Sequence, residues 1–319
     1  MTSIYEPRFT DENSAREHLE ALQWPNGPVC PHCKSTNAKR LPAQRGRPTK
    51  AHPDGAVRAG VVQCNDCRKQ YSVTVGTVFE SSKIPLHKWL LANHLMCASK
   101  KGVSAHQLHR MLGVTYKTAW FMAHRIREAM ISTDDTPLGG DGGIVEVDET
   151  YIGRDQTKPK SKLAIHHMNR VVSLVDRQTG RSVSVVFNQS FGPKEVSKLL
   201  FTKIDRNTRL VTDEARPYIA PGKQFKAHQT VNHRQKEYAR GDITTNTVEG
   251  FFGIFKRGMR GIYQHCGQQH LGRYLAEFDF RYTNRIANGY DDAERADVAL
   301  KGIVGKRLTY RRTDSAATA

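Results

Sequence analysis

Acidic residues are in short supply here: 31 Asp and Glu face 49 Lys and Arg across 319 residues, a formal charge of +18. With a pI near 9.8, such an imbalance selects a polyanion as partner. Long apolar runs are missing too. No stretch approaches the roughly 18 residues a membrane-spanning helix needs. The opening Met1-Thr2-Ser3-Ile4-Tyr5-Glu6 lacks the basic and apolar regions of a signal peptide. These absences disfavour a membrane as the polyanion. They set the expectation of a soluble cytoplasmic protein, associated with the nucleoid. Internal repeats are absent, and the length suggests two or three domains, at least one with a full hydrophobic core.

Cysteine is sparse but patterned. Cys30 and Cys33 form one CxxC pair, Cys64 and Cys67 another, while Cys97 and Cys266 stand alone. Without a secretion signal, paired CxxC motifs indicate metal rather than disulfide. Two such knuckles supply four thiolates to a tetrahedral Zn²⁺, with His32 a bystander. Tyr71 and Val73-Thr74-Val75 resemble the strand that backs a zinc ribbon. Between the knuckles lie 30 residues, more than the roughly 15–20 of compact ribbons. The surplus holds Lys39, Arg40, Arg45, Arg47, Lys50 and Arg58 against Asp54 alone. It reads equally as a solvated insertion and as a DNA-contacting arm.

The organisation expected is a zinc ribbon with a basic insertion over 1–83, a helix–turn–helix over 84–132, a catalytic domain over 140–305 and a basic, disordered tail over 306–319. In the second segment, Ser104 caps a first helix carrying Leu108, Met111 and Leu112, and Gly113 permits a turn. Thr115 caps a second helix with Ala119, Met122 and Ile126 inward. Tyr116, Lys117, His124, Arg125 and Arg127 lie on its other faces, as a recognition helix requires. An ordinary helix pair would share this pattern. The charge and the adjoining zinc module favour DNA binding, with Tyr116, Lys117, Arg125 and Arg127 as contacts.

Strand-like runs follow at 144–148, 170–175, 182–187 and 209–212, the middle two joined by a hairpin at Asp176–Gly180. Helical patterns occupy 193–204, 246–258 and 268–287. This order predicts a mixed sheet covered by helices. Three acids recur at informative places. Asp148 ends the run Ile144–Val147; Glu146 shares its face, and Glu149 points away, either being a possible supporting group. Asp213 ends Arg209–Thr212. Glu249 opens an amphipathic helix, with Asn246 as its expected N-cap and Lys256 two turns on, about 10 Å along the axis. Singly, such acids are often caps or surface decoration. Together they suit Mg²⁺ or Mn²⁺, which prefer carboxylate oxygens. Two such ions about 3.5–4 Å apart support in-line displacement at phosphorus.

Several segments carry a resemblance: Val147-Asp148-Glu149-Thr150-Tyr151-Ile152-Gly153, Thr212-Asp213, Asn232-His233, Asn246-Thr247-Val248-Glu249-Gly250-Phe251-Phe252, Lys256-Arg257-Gly258 and Phe280-Arg281-Tyr282-Thr283-Asn284-Arg285. With the CxxC pairs, they make the chain resemble bacterial insertion-sequence transposases that join an N-terminal zinc ribbon to a DDE-type, RNase H-like catalytic domain. The resemblance implies an α+β and α/β multidomain fold. It makes Asp148, Asp213 and Glu249 the catalytic, magnesium-holding acids and Lys256 the downstream basic residue of the catalytic set. Spacings of 65, 36 and 7 residues suit a domain without a large insertion. Also implied are structural Zn²⁺ on Cys30, Cys33, Cys64 and Cys67, and double-stranded DNA as partner, both terminal inverted repeats and target. A homodimer or higher oligomer would hold two transposon ends. Two departures stand out: Thr244 where His is expected, with His233 the substitute, and Phe252 where Trp is frequent. Arg257, Arg260, Lys158, Lys160 and Lys162 are further phosphate contacts. The competing readings are a non-enzymatic DNA-binding regulator and another RNase H-like nuclease; retention of all three acids with Lys256 favours the transposase.

Overall fold

A computed structural model describes residues 4–48, 50, 53–55, 57–155, 159, 167–187, 191–232 and 239–309. The expectations placed on Lys158, Lys160, Lys162, His233 and most of the tail lie outside these residues. Contacts divide the chain into two compact units. One comprises residues 1–98, 105–130 and 292–319, the other 99–104 and 131–291. Among the described residues no helix is long and apolar enough to cross a membrane.

The first unit begins with α1 (Glu12–Gln23), whose N-cap Asp11 accepts from the Ser14 N–H at 2.7 Å. Short strands follow: β1 (Ala38–Arg40), β2 (Gln44–Arg45), β3 (Val57–Arg58), β4 (Val62–Cys64) and β5 (Gln70–Tyr71). β1, β4 and β5 form one small antiparallel sheet, and β2 pairs with β3 inside the basic insertion. Val73–Val75, expected to extend a strand, is a turn instead, with the Val75 N–H bonded to Ser72 O at 3.0 Å.

α2 (Leu86–Ala98) buries residues around most of its circumference, among them Trp89, Leu90, Asn93 and Met96, as a helix surrounded by others must. Its N-terminus is capped across the unit: the Glu12 carboxylate accepts from the Leu86 N–H at 2.9 Å and the His87 N–H at 3.3 Å. A negative group there meets unsatisfied donors and the favourable end of the helix dipole. α3 (Ala105–Leu112) and α4 (Tyr116–Met130) are joined through Gly113, whose φ of +61° a side chain would strain. Thr115 caps α4 through the Thr118 N–H at 3.2 Å. Ala119, Met122 and Ile126 are buried as the periodicity requires.

In the second unit, β6 (Ile144–Ile152), β7 (Asn169–Asp176), β8 (Ser182–Val186), β9 (Arg209–Asp213) and β10 (Ala227–Val231) form a sheet ordered β10-β9-β6-β7-β8. β6, β7 and β8 are antiparallel neighbours; β9 and β10 run parallel to β6. Alternation in β6 sorts its side chains. Val145 and Val147 pack with Val196, Leu200, Leu210 and Tyr218, on the side of α5 (Pro193–Lys203) and α6 (Arg216–Gly222). β11 (Ala239–Arg240) and β12 (Ile243–Thr244) form a small hairpin before α7 (Asn246–Gly258), and α8 (Leu271–Thr283) follows. Ile152, Val171 and Val175 pack with Val248, Phe251, Phe255 and Phe278 of these two helices. The result is a mixed sheet with a helical layer and an apolar core on each face. Asp279 of α8, pushed up to about 6 by its burial, ties that helix to the edge strand through the Ser184 N–H at 2.8 Å.

After Asp291 the chain re-enters the first unit as α9 (Asp292–Lys301). There the Asn93 amide donates to Ala296 O at 2.9 Å and Arg295 to Cys97 O at 3.0 Å. Chain order alone assigns this helix to the sheet; its packing assigns it to the first unit.

Candidate metal centres

The two CxxC segments fold alike because each closes the same turn. The Cys30 N–H bonds to Ser35 O at 2.9 Å and the Cys64 N–H to Lys69 O at 3.0 Å. Lys34 and Arg68, each following a second cysteine, take φ values of 65° and 62°. This left-handed step is uncommon for a side-chain-bearing residue and marks a constrained turn. The four sulfurs lie within 4.8 Å of one another, with Cys30–Cys67 and Cys33–Cys64 separations of 3.6 Å. A disulfide requires about 2.05 Å, whereas a tetrahedron with 2.3 Å Zn–S bonds has edges of about 3.8 Å. The donor set therefore fits Zn²⁺. Clustering also splits the thiols. Cys64 is drawn down to about 7, first by the Cys67 N–H. Cys33 is pushed up to about 12 by burial and its three neighbours, despite the Ser35 N–H. His32 is exposed; Cys97 is buried and Cys266 half-buried, neither in a disulfide.

The second cluster sits where β9 ends and β6 continues. Their parallel register runs through Val147 opposite Thr212, so Asp148 and Asp213 emerge side by side at the carboxyl end of the pair. Ligands of open sheets gather at such ends. Oxygens of Asp148, Glu149 and Asp213 lie within 4.8 Å of one another. Asp148 folds back onto its own strand, accepting from the Glu149 N–H at 2.7 Å; Asp213 accepts from the Ala215 N–H at 3.0 Å. Burial, followed by the charges of Glu149, Asp213 and Glu249, pushes Asp148 up to about 7 despite that N–H. Crowded, half-buried carboxylates are the donor set that Mg²⁺ and Mn²⁺ favour.

Glu149 departs from expectation. Strand alternation points it away from Asp148, yet it joins the cluster, because past the end of β9 no strand pairs with that side of β6. The Tyr218 hydroxyl donates to its Oε2 at 2.8 Å. Glu146 departs as well. Wholly buried, it accepts from the Thr247 and Val248 N–H groups at 2.9 Å each and is ion-paired with Arg177. Arg177 also donates to Asp242 O and Thr244 O. Glu146 is thus the cap of α7, a role the sequence assigned to Asn246, which is exposed within the first turn. A buried carboxylate pinned between a strand and the helix N-terminus fixes where that helix starts.

Glu249 lies one turn into α7, near enough for its charge to raise Asp148, but outside the 4.8 Å group. Thr245 Oγ1 donates to its Oε1 at 2.7 Å and draws it back along its own helix. Lys256 is half-buried, its Nζ 6.0 Å from the Phe252 ring centroid. Arg257 and Arg260 are exposed.

The four residues expected to face DNA separate into two kinds. Tyr116 and Lys117 are exposed on the first turn of α4. Arg125 and Arg127 are 8% and 2% exposed, and His124 is buried with them. Arg125 donates to Leu308 O at 3.2 Å and lies 5.0 Å over the Phe121 ring. The reason is that α4 is packed on more than its apolar stripe, so polar periodicity does not mark a solvent face.

The comparisons with known proteins agree on a class. Residues 138–283 match the ISXO2-like transposase domain of the IS1595 group, a DDE domain, and residues 10–70 match its transposase zinc-ribbon domain. Over 295 residues the chain is 27% identical to an uncharacterized protein in transposable element ISH50 of Halobacterium salinarum, covering 86% of this chain and 91% of that protein. A cryoEM structure of a simian T-cell lymphotropic virus intasome with PP2A regulatory subunit B56 gamma is similar at 15% identity and a TM-score of 0.28. That match covers 54% of this chain and 63% of the other, a likeness too slight to bear on this protein. Both domain matches, in the order zinc ribbon then DDE domain, describe an insertion-sequence transposase. Over these two domains the chain is similar to insertion-sequence transposases of the IS1595 group.

Proposed function

We propose that the protein is a metal-dependent DNA transposase that binds terminal inverted repeats, cleaves at them and joins the freed 3′-hydroxyl strand to target DNA. The observation that carries this reading is the meeting of Asp148, midway along β6, with Asp213 at the carboxyl end of β9, within a region that matches a transposase domain. The sheet is read as RNase H-like. Asp148, Asp213 and Glu249 hold the catalytic ions. Bound there, Mg²⁺ or Mn²⁺ supplies Lewis acidity to the attacking and departing oxygens of the phosphodiester. Asp148 and Asp213 are fixed by backbone N–H groups. Glu249 reaches the centre by giving up its Thr245 hydrogen bond, and Glu146 sets the helix from which it reaches. Lys256, two turns on, neutralises substrate phosphate.

End recognition is assigned to the first unit. Zn²⁺ on Cys30, Cys33, Cys64 and Cys67 holds the ribbon. α3 and α4 act as a helix–turn–helix with Tyr116 and Lys117 toward DNA. Arg125 and Arg127 stay in the interior as supports. Lys39, Arg40, Arg45, Arg47, Lys50 and Arg58, all exposed, add phosphate contacts, each of which steepens the salt dependence of binding. A homodimer brings two ends together. The test is cleavage of labelled DNA carrying the element's terminal repeats, with wild type beside Asp148→Asn. The expected result is Mg²⁺-dependent nicking by wild type alone; equal nicking by both removes Asp148 from the reaction.

A further inference from the structure

We infer that Glu149 is a metal-holding carboxylate of this centre, seated by Tyr218. The inference rests on the catalytic reading above and extends it to residues outside the Asp148, Asp213 and Glu249 set. Three observations converge. Among the described residues, the acids whose oxygens lie within 4.8 Å of one another are Asp148, Glu149 and Asp213, whereas Glu249 is turned toward Thr245. Glu149 is oriented rather than loose: the phenol of Tyr218 engages Oε2, leaving Oε1 for a cation. Tyr218 is itself wholly buried, packed edge-on against Phe191 at 5.7 Å. Its hydroxyl therefore points at Glu149 from a fixed ring.

The arrangement has the logic of a supported metal ligand. A partner that fixes one oxygen of a ligating carboxylate lowers the cost of ordering it and sets its direction. Asp148 and Glu149 are sequence neighbours on a strand, and normally such neighbours face opposite ways. Here Asp148 bends toward the Glu149 N–H, and Glu149, one methylene longer, reaches round past the end of β9. Asp213 completes the group from the adjacent strand. Glu149 thereby gives the centre an acid already in place on the sheet, while Glu249 approaches from α7.

A purely structural tie between β6 and α6 is the opposing account, and Glu149→Gln separates the two. Glutamine still accepts from the Tyr218 hydroxyl, so the tie survives while the charge is lost. The experiment titrates the zinc-saturated full chain with Mn²⁺ and follows the electron paramagnetic resonance signal of free Mn²⁺. Thermal melts of every variant are recorded alongside. Glu149→Gln should weaken binding by about 10–100-fold, the range seen when ligand surroundings are removed, with the melting temperature retained. Tyr218→Phe keeps the carboxylate but loosens it, and should give a smaller loss of the same kind. Wild-type affinity in both variants, alongside lost binding in Asp148→Asn, overturns the role of Glu149 and leaves the catalytic reading standing. Wild type that binds no Mn²⁺, or Asp148→Asn that binds as wild type does, overturns the metal centre and this inference with it.

Discussion

The cysteine cluster and the carboxylate cluster solve opposite problems with the same local means. In the ribbon, two short turns of the same design bring four sulfurs to tetrahedral separations, using ligands close in sequence. The set is closed, with no position left for a substrate, as structural zinc sites are. At the sheet, two acids come from the middle of β6 and one from the end of β9, and a fourth lies on a helix. That set is open and crowded with like charge. A closed soft-ligand site stabilises the fold it belongs to, whereas an open hard-ligand site is stabilised by what it binds. On this difference rests the proposal of a structural role for one and chemistry for the other.

The sharpest way to break this contrast is to damage each centre and compare the consequences. Asp148→Asn should lower DNA cleavage by about 10³-fold or more, a loss of roughly 4 kcal/mol in transition-state stabilisation, with hydrogen-exchange protection intact throughout. Cys64→Ser should do the reverse to protection, exposing the amides around both knuckles, since zinc affinity is folding free energy in such modules. If the serine variant keeps that protection, the ribbon does not depend on its metal.

A second contrast concerns how the open site is held. Removing Arg177 as Arg177→Ala leaves the Glu146 carboxylate buried with only the α7 N–H groups. Breaking such a pair costs about 3–5 kcal/mol, to be read from urea unfolding. An unchanged midpoint would show that α7 does not rely on this anchor.

The smallest expected effect separates the two sites by pH. Asp148, held near 7 in the folded protein against an ordinary value of 3.8, keeps its proton more tightly folded than unfolded. Its contribution is present at low pH and is lost as pH rises from about 4 to about 7, by about 2–4 kcal/mol without divalent cations. Added Mg²⁺ should flatten that decline, and Asp148→Asn should abolish it. The zinc site runs the other way, weakening as pH falls and thiolates protonate. Melts across pH 4–8, with and without Mg²⁺, check both signs.

Much of this was legible in the chain itself, for identifiable reasons. CxxC spacing encodes its own geometry, so the four sulfurs could be placed from sequence. The strands around Asp148 and Asp213 were visible because both-face burial leaves apolar runs, and their parallel pairing then aligned the two acids. Residues whose roles depend on where a neighbour stops were hidden. Glu149 obeys strand alternation on paper and escapes it only because β9 ends at Asp213. Glu146 looked like a companion of Asp148 but caps a helix 100 residues on, a contact no local pattern announces. Tyr218 sits in Arg216-Pro217-Tyr218, which carries no chemical signature. Arg125 and Arg127 misled in the opposite sense. A basic, polar helix face is ordinarily solvent-exposed, and here it is interior because α4 has packing partners on several sides.

The most direct measurement is an anomalous difference map from crystals of the zinc-containing protein soaked in Mn²⁺. A manganese peak within ligand-bond distance of both Asp148 and Asp213, distinct from a zinc peak among the four cysteines, is the result expected. Manganese absent from those carboxylates, with zinc in place at the ribbon, would contradict the assignment of chemistry to the sheet.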